Sequence, residues 1–278
     1  MISSQINEKS CPVCQTNNRK IIDSKLFGLT RLVECQNCKL RFRLPKDKED
    51  FVKSFYQKNY KENDITELPN DKELEVLLNS NFKTKRNIQF MVPILKSISD
   101  YLGRKISIFD YGASWGYYAY QLQSLEFVKE VKCFEISKKT RIFGEKKLGI
   151  TYVDKLTDDV KVDLFFSSHV IEHIPNPLIL KKWADKFLKD DGIIFIICPN
   201  GSEQAKINKN WSITWGEKHP NFISDEFLEK NFSNYKGTIF EKELFKNDLD
   251  KKLSPKNIHS LLPTSLELWF VAQKKQIS

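Results

Sequence analysis

From Lys105 onward, short apolar runs alternate with stretches of helical periodicity, and this alternation limits the possible folds more than any other feature of the chain. The runs are 106–109, 131–134, 150–153, 162–166 and 193–198, and the helical stretches fall at 116–128, 138–147 and 177–189. Parallel strands need long crossovers, and strands covered by helices on both faces are apolar throughout rather than alternating. The pattern therefore predicts βαβ units in an α/β domain with a mostly parallel sheet. Two later runs, 235–240 and 266–272, read as strands without a regular crossover helix between them. Residues 241–260 read as a loop.

The segment ahead of this domain is highly charged. Residues 71–80 and 82–102 have helical periodicity, with Phe82, Ile88, Val92, Leu95, Ile98 and Leu102 on one face of the second stretch. Pro93 is expected to bend or break that helix, and Gly103 to end it. The chain is thus expected to divide into 1–45, a helical connector or lid at 46–104, and the α/β domain at 105–278. With 40% hydrophobic residues among 278, the chain can bury a sizeable core and is not a disordered tail. The longest apolar run, Ile193 to Cys198, is far short of a membrane span, and Met1-Ile2-Ser3-Ser4-Gln5 has no apolar signal region. A cytoplasmic protein with no membrane partner is expected. The net charge of +9 favours a polyanionic or phosphorylated partner, and the sequence specifies no oligomeric state.

Four of the six cysteines form two C-x2-C pairs, Cys11/Cys14 and Cys35/Cys38. Such knuckles bring four thiolates to a tetrahedral zinc, and the strand-like 20–22 and 29–33 between them suggest a zinc ribbon. Four thiolates leave no open position, so the zinc is expected to be structural. Cys133 and Cys198 lie in apolar runs and read as small buried hydrophobes.

The first run of the α/β domain ends in Asp110-Tyr111-Gly112-Ala113-Ser114-Trp115-Gly116 and passes directly into a helix. A strand, a glycine turn and a helix N-terminus together make a site for close backbone approach to a ligand. No Lys-Ser/Thr follows, which excludes a Walker-type phosphate loop. Glu135 ends the second run, where a carboxylate can accept hydrogen bonds from ribose hydroxyls.

These residues resemble the first motif and the acidic second-strand residue of class I S-adenosylmethionine-dependent methyltransferases. Val162-Asp163 through His169-Val-Ile-Glu172-His173 is similar to that family's fourth-strand motif, and 192–199 to its fifth strand. The resemblance implies a Rossmann-like, seven-stranded methyltransferase sheet with an antiparallel last hairpin. It implies S-adenosylmethionine held by Asp110, Tyr111, Gly112, Ala113, Ser114, Gly116, Glu135, Ile136, Asp154 and His169. Ser114 stands where the family often has glycine. The cysteine pairs, followed by Phe55-Tyr56 and Tyr60, are similar to a subgroup of small-molecule and nucleotide-sugar methyltransferases with an N-terminal zinc module; Tyr56 and Tyr60 are then lid candidates.

Methyl transfer needs an aligned acceptor and, for many acceptors, a base. A neutral histidine suits that role near pH 7. His219, with Glu217, resembles the Glu-His element of the nucleotide-sugar subgroup, where the histidine is the base, although Lys218 separates the two here. His173 is the second catalytic candidate. Glu172 is expected to bind backbone N–H groups of its turn, His259 to lie on the surface, and Trp211 and Trp215 either to line an acceptor pocket or to pack in the core. The leading expectation is methyl transfer to a small acceptor, a sugar or nucleotide-linked sugar. The competing readings are an RNA methyltransferase gripping nucleic acid through the ribbon and the Lys39, Arg41, Arg43, Lys46 and Lys48 cluster, and a non-catalytic zinc-ribbon adaptor.

Overall fold

The computed structural model describes residues 10–46, 67–153, 160–216 and 219–276. Its centre is a seven-stranded sheet. The parallel part comprises β4 (Ile106–Tyr111), β5 (Val128–Phe134), β6 (Val162–Ser168) and β7 (Leu188–Pro199), joined by α3 (Tyr117–Gln123), α4 (Lys138–Leu148) and α5 (Leu178–Phe187). The end of the sheet is β9 (Tyr235–Phe240), β10 (Ile258–Ser260) and β11 (Glu267–Lys274), in the spatial order β10-β9-β11-β7-β6-β4-β5. β11 runs antiparallel to both β7 and β9. The α/β class, the Rossmann-like parallel core and the antiparallel end thus agree with the expectation from sequence.

The near-continuous apolar strands serve two cores at once. Ile108, Phe166, Phe195 and Trp269 face a cluster closed by α1 (Asp71–Asn79), α2 (Val92–Leu102) and α3. Their neighbours Phe109, Phe165, Ile194, Ile196 and Phe270 face a second cluster closed by α5 and α6 (Asp225–Asn231). This is the period-two alternation of strand side chains, with both faces apolar. At the start of the strands, the buried Asp163 carboxylate ties three neighbours together. It accepts from Ser107 N (2.9 Å), Ser107 Oγ (2.7 Å), Arg104 Nε (2.8 Å) and Lys189 Nζ (2.9 Å). Burial opposes its charge, but these donors hold the Asp163 carboxyl down at about 2.

Three local expectations need correction. Residues 150–153 do not form a full strand: only Tyr152 makes a bridge, to Cys133. The seventh strand is instead β10, inside a segment that reads as loop, which also holds α7 (Leu249–Leu253). The helix expected from Phe82 begins only at Val92. Pro93 therefore sits in its first turn, where a missing N–H costs nothing, and bends no helix. Gly103 does end it, in the left-handed conformation at φ 64°.

The N-terminal segment forms a second, antiparallel sheet of β1 (Arg19–Lys25), β2 (Thr30–Cys35), β3 (Arg41–Leu44) and β8 (Asn221–Phe222), in that order. β8 belongs to the segment that follows β7, so the two parts of the chain share a ladder, Arg41 opposite Phe222 and Phe42 opposite Asn221. Asn231 Nδ2 donates to Cys38 O at 2.8 Å across the same junction. Arg41, only 2% exposed, sits at its centre: Nε donates to Glu34 Oε2 (3.0 Å), one terminal nitrogen to Gly201 O (2.6 Å) and the other to Glu203 Oε2 (3.1 Å).

Glu34 is itself 1% exposed, so truncating Arg41 strands a buried carboxylate with the ion pairs to Lys20 and Lys39 and one hydrogen bond from Gln36 Nε2. Arg41→Ala is expected to cost about 3 kcal/mol of unfolding free energy, read as a lower urea midpoint; an unchanged midpoint would show that the junction contributes nothing.

Candidate functional site

The four cysteines expected to bind metal converge. Cys11 Sγ lies 3.4 Å from Cys38 Sγ, Cys14 Sγ lies 3.4 Å from Cys35 Sγ, and all four sulfurs are within 4.8 Å of one another. The second knuckle aims the Cys38 N–H at Cys35 Sγ, 3.4 Å away. Closely gathered sulfurs, three of them on buried residues, are compatible with a closed structural zinc site. Cys133 and Cys198 are fully buried in strands, as expected, and take no part in this cluster.

At the carboxyl end of β4, Gly112 and Gly116 both have positive φ, 88° and 79°. A Cβ on Gly112 would lie 2.3 Å from Val170 Cγ2, and one on Gly116 would lie 2.6 Å from Ile150 Cγ1. Only glycine allows these approaches together with this backbone. The turn is pinned from below, because Gly112 N and Ala113 N both donate to Phe134 O. It is pinned from the side as well, because Tyr152 Oη donates to Ser114 O at 2.8 Å.

Three polar atoms in the segment from Asp110 to Gly116, Asp110 Oδ2, Ser114 Oγ and Trp115 Nε1, are buried and have no hydrogen-bond partner among the described residues. Full burial, with the negative charge of Glu135 nearby, pushes the Asp110 carboxyl up to about 7. Glu135 stands at the end of β5 and spends both oxygens on backbone, accepting from Ser114 N (2.9 Å) and Ser137 N (2.8 Å). Burial still outweighs those bonds and raises its carboxyl above the usual glutamate range. Orphaned polar atoms around a glycine cradle fit a ligand that brings its own donors. The Tyr111 ring packs against Phe134 at 5.1 Å and Trp183 at 5.4 Å. Ile136, by contrast, is 54% exposed beside the turn.

The turn after β6 carries the histidines, and Val170 presses it onto Gly112. His169, at positive φ (54°), faces two carboxylates: Nε2 is 3.0 Å from Glu267 Oε1 and Nδ1 is 3.5 Å from Glu172 Oε1. Burial works against its charge, but the two carboxylates outweigh this and raise it to about 10. Glu172 does not bind backbone N–H groups, contrary to expectation. It is fully buried, and neither carboxylate oxygen accepts a hydrogen bond among the described residues. Burial opposes its charge, yet His169, His173 and His219 hold its carboxyl below the usual range.

His173 and His219, 46 positions apart, meet edge-on with ring centroids 4.8 Å apart. His219 Nδ1 lies 2.6 Å from Thr214 O. A carbonyl only accepts, so Nδ1 carries the proton and Nε2 of the neutral ring keeps its lone pair. Asn221 fixes the contact between the two segments: its N–H donates to Glu172 O (3.1 Å) and its Nδ2 to Ile174 O (2.6 Å). Ser224, rather than His219, caps α6, accepting from Phe227 N at 3.2 Å.

Trp211 and Trp215 are buried with Leu32, Ala205 and Phe222, in the core packing the sequence offered as one of their two readings. His259 is exposed on β10. Asp154, Glu217, Tyr56 and Tyr60 lie outside the described residues. Val170, Thr214, Asn221 and Glu267 have no signature in the sequence; each matters only through a partner distant along the chain.

A sequence profile described as "Methyltransferase domain" matches residues 83–236, more than half of the chain. Several solved structures are similar to it. The plantazolicin methyltransferase BamL, solved with a triazolic desmethylPZN analog and SAH, is 12% identical over 83% of this chain and 100% of that one, with a TM-score of 0.49. The plantazolicin methyltransferase BpumL in complex with SAH is 13% identical over 81% and 94%, with a TM-score of 0.47. A type 11 methyltransferase from Sulfolobus solfataricus is 20% identical over 65% and 90%, with a TM-score of 0.43. No curated protein matches the chain.

The raised carboxyl of Asp110 has a definite sign. Between about pH 4 and pH 7 the native state keeps a proton that the unfolded chain has released, so this residue lowers stability as pH rises through that window. Relative to wild type, Asp110→Asn should therefore be more stable at pH 7 than at pH 4.5. Parallel melting curves without ligand check this; a constant difference across the window would contradict it.

Proposed function

The chain belongs to the methyltransferase-domain family, and on that premise we propose that it transfers a methyl group from S-adenosylmethionine to a small, phosphorylated acceptor, a sugar or nucleotide-linked sugar. The observation that carries the reading is the pair of orphaned buried atoms, Asp110 Oδ2 and Ser114 Oγ, beside a glycine turn at the carboxyl end of β4. That end is where open α/β sheets bind ligands. S-adenosylmethionine, when bound, supplies a methyl group already activated on a sulfonium. Its ammonium suits the Asp110 carboxylate, and its ribose suits the end of β5 at Glu135.

The chain's own task is then to hold the acceptor and take its proton. In this reading His219 is the base. Its Nδ1–H is committed to Thr214 O, so Nε2 is directed to act. His173 packs against the ring and holds its orientation. The charge of +9 supports a phosphorylated acceptor. The cysteine cluster takes no part in the chemistry and, loaded with zinc, holds β2 and β3 in place.

Calorimetric titration with S-adenosylmethionine and with SAH is the direct test. Binding of both is expected, with Gly112→Val abolishing it because the added side chain meets Val170; no binding of either by the wild type would overturn the reading. A labelled-methyl assay against nucleotide-linked sugars, with RNA as the alternative acceptor, then identifies the acceptor class. With a sugar acceptor, His219→Asn should lower kcat by about 10²–10⁴ while leaving SAH affinity unchanged; unaltered turnover would remove His219 as base. Zinc removal by a chelator should lower the melting temperature, and Cys35→Ser should reproduce that loss.

A further inference from the structure

Glu172, His173 and His219 make a second group with the composition of a metal site. One ligand atom from each lies within 4.8 Å of the others. Glu172 is 0% exposed, and neither of its oxygens accepts a hydrogen bond among the described residues. A buried carboxylate without hydrogen bonds is costly unless a cation compensates it. His169 faces it from one side, its Nδ1 at 3.5 Å, and is itself shared with Glu267. The two imidazoles of His173 and His219 also approach it, with His173 Nε2 at 3.8 Å.

The His219 ring is prepared for ligation. Its Nδ1–H is held by the Thr214 carbonyl, the outer contact that commonly fixes the tautomer of a metal-bound histidine and leaves Nε2 to the ion. Asn221 locks the backbone of both segments together, so the ligands from the β6 turn and from the approach to β8 share one frame. Atoms within 4.8 Å of one another can close around a single ion by side-chain rotation.

We propose that Glu172, His173 and His219 bind one divalent first-row metal ion. Two imidazoles and one carboxylate suit zinc, iron or manganese better than magnesium or calcium. Three protein ligands leave at least one position open, in contrast to the closed four-cysteine cluster. Resting on the methyl-transfer reading, the open position takes an oxygen of the acceptor. The ion occupies the His219 Nε2 lone pair, so the two states of the protein differ: with the ion bound, the acceptor hydroxyl on the open position is acidified and releases its proton to solvent water, and without the ion Nε2 takes that proton. The ion itself does not depend on that reading.

Equilibrium dialysis of the full-length protein against micromolar zinc, followed by elemental analysis, counts the sites. Two zinc ions per chain are expected in the wild type and one in both Glu172→Gln and His219→Ala. His219 lies in a half-buried loop, so His219→Ala provides the result if the buried Glu172→Gln fails to fold. One ion in the wild type, or two retained by His219→Ala, overturns the proposal. SAH calorimetry on the same samples keeps the two readings apart: SAH bound without a second zinc sinks only the metal site, whereas a second zinc without SAH binding sinks only the methyl-transfer reading.

Discussion

The cost of burying negative charge at one end of a parallel sheet organises this molecule. Asp110 lies near the end of β4, and Glu135 and Glu172 follow β5 and β6; Asp110 and Glu172 are buried and Glu135 is partly so. Their environments meet that cost in three ways. Glu135 accepts from two backbone N–H groups, Glu172 is surrounded by imidazoles, and Asp110 keeps its proton up to about pH 7. A residue that ionises only reluctantly is well suited to wait for a cationic ligand, because the arriving charge makes good what burial removed. The glycine turn provides the space for such a ligand, and the compensation pattern supplies the attraction.

The parallel ladder makes this clustering unavoidable. Every crossover returns the chain to the same edge, so the turns after successive strands become neighbours although they lie far apart in sequence. Val170 on Gly112 is the direct contact between two such turns. It couples the shape of the glycine cradle to the segment that carries His169, Glu172 and His173.

How much of this was legible depended on how local the cause was. The β4 to β7 core could be read because burial on both faces writes itself into every residue of a strand. The stretch 150–153 has the apolar texture of a strand because Ile150 and Tyr152 pack against Gly116 and Gly144, while its backbone bonds Gly144 O and, at the sheet edge, Cys133. β10 was hidden for the opposite reason: Ile258-His259-Ser260 is short and half-exposed, and only its ladder with β9 makes it a strand. The cysteine spacing points to the four-cysteine cluster, but the two-residue β8 that completes the ribbon sheet has no periodicity to detect. His173 and His219 were each recognisable as candidates; their contact was not, because it depends on β8 and Asn221. For Glu172 the sequence suggests turn capping, while the fold surrounds it with histidines.

The position of β8 in the chain has a mechanical consequence. It starts two residues after His219 and pairs with β3, which starts three residues after Cys38. A slip of one residue in a strand exchanges its two faces. The cysteine-bearing sheet thus acts as a ruler for the histidine loop: the sulfur cluster sets the height of the ribbon's edge, and that edge decides which way the imidazole segment is presented.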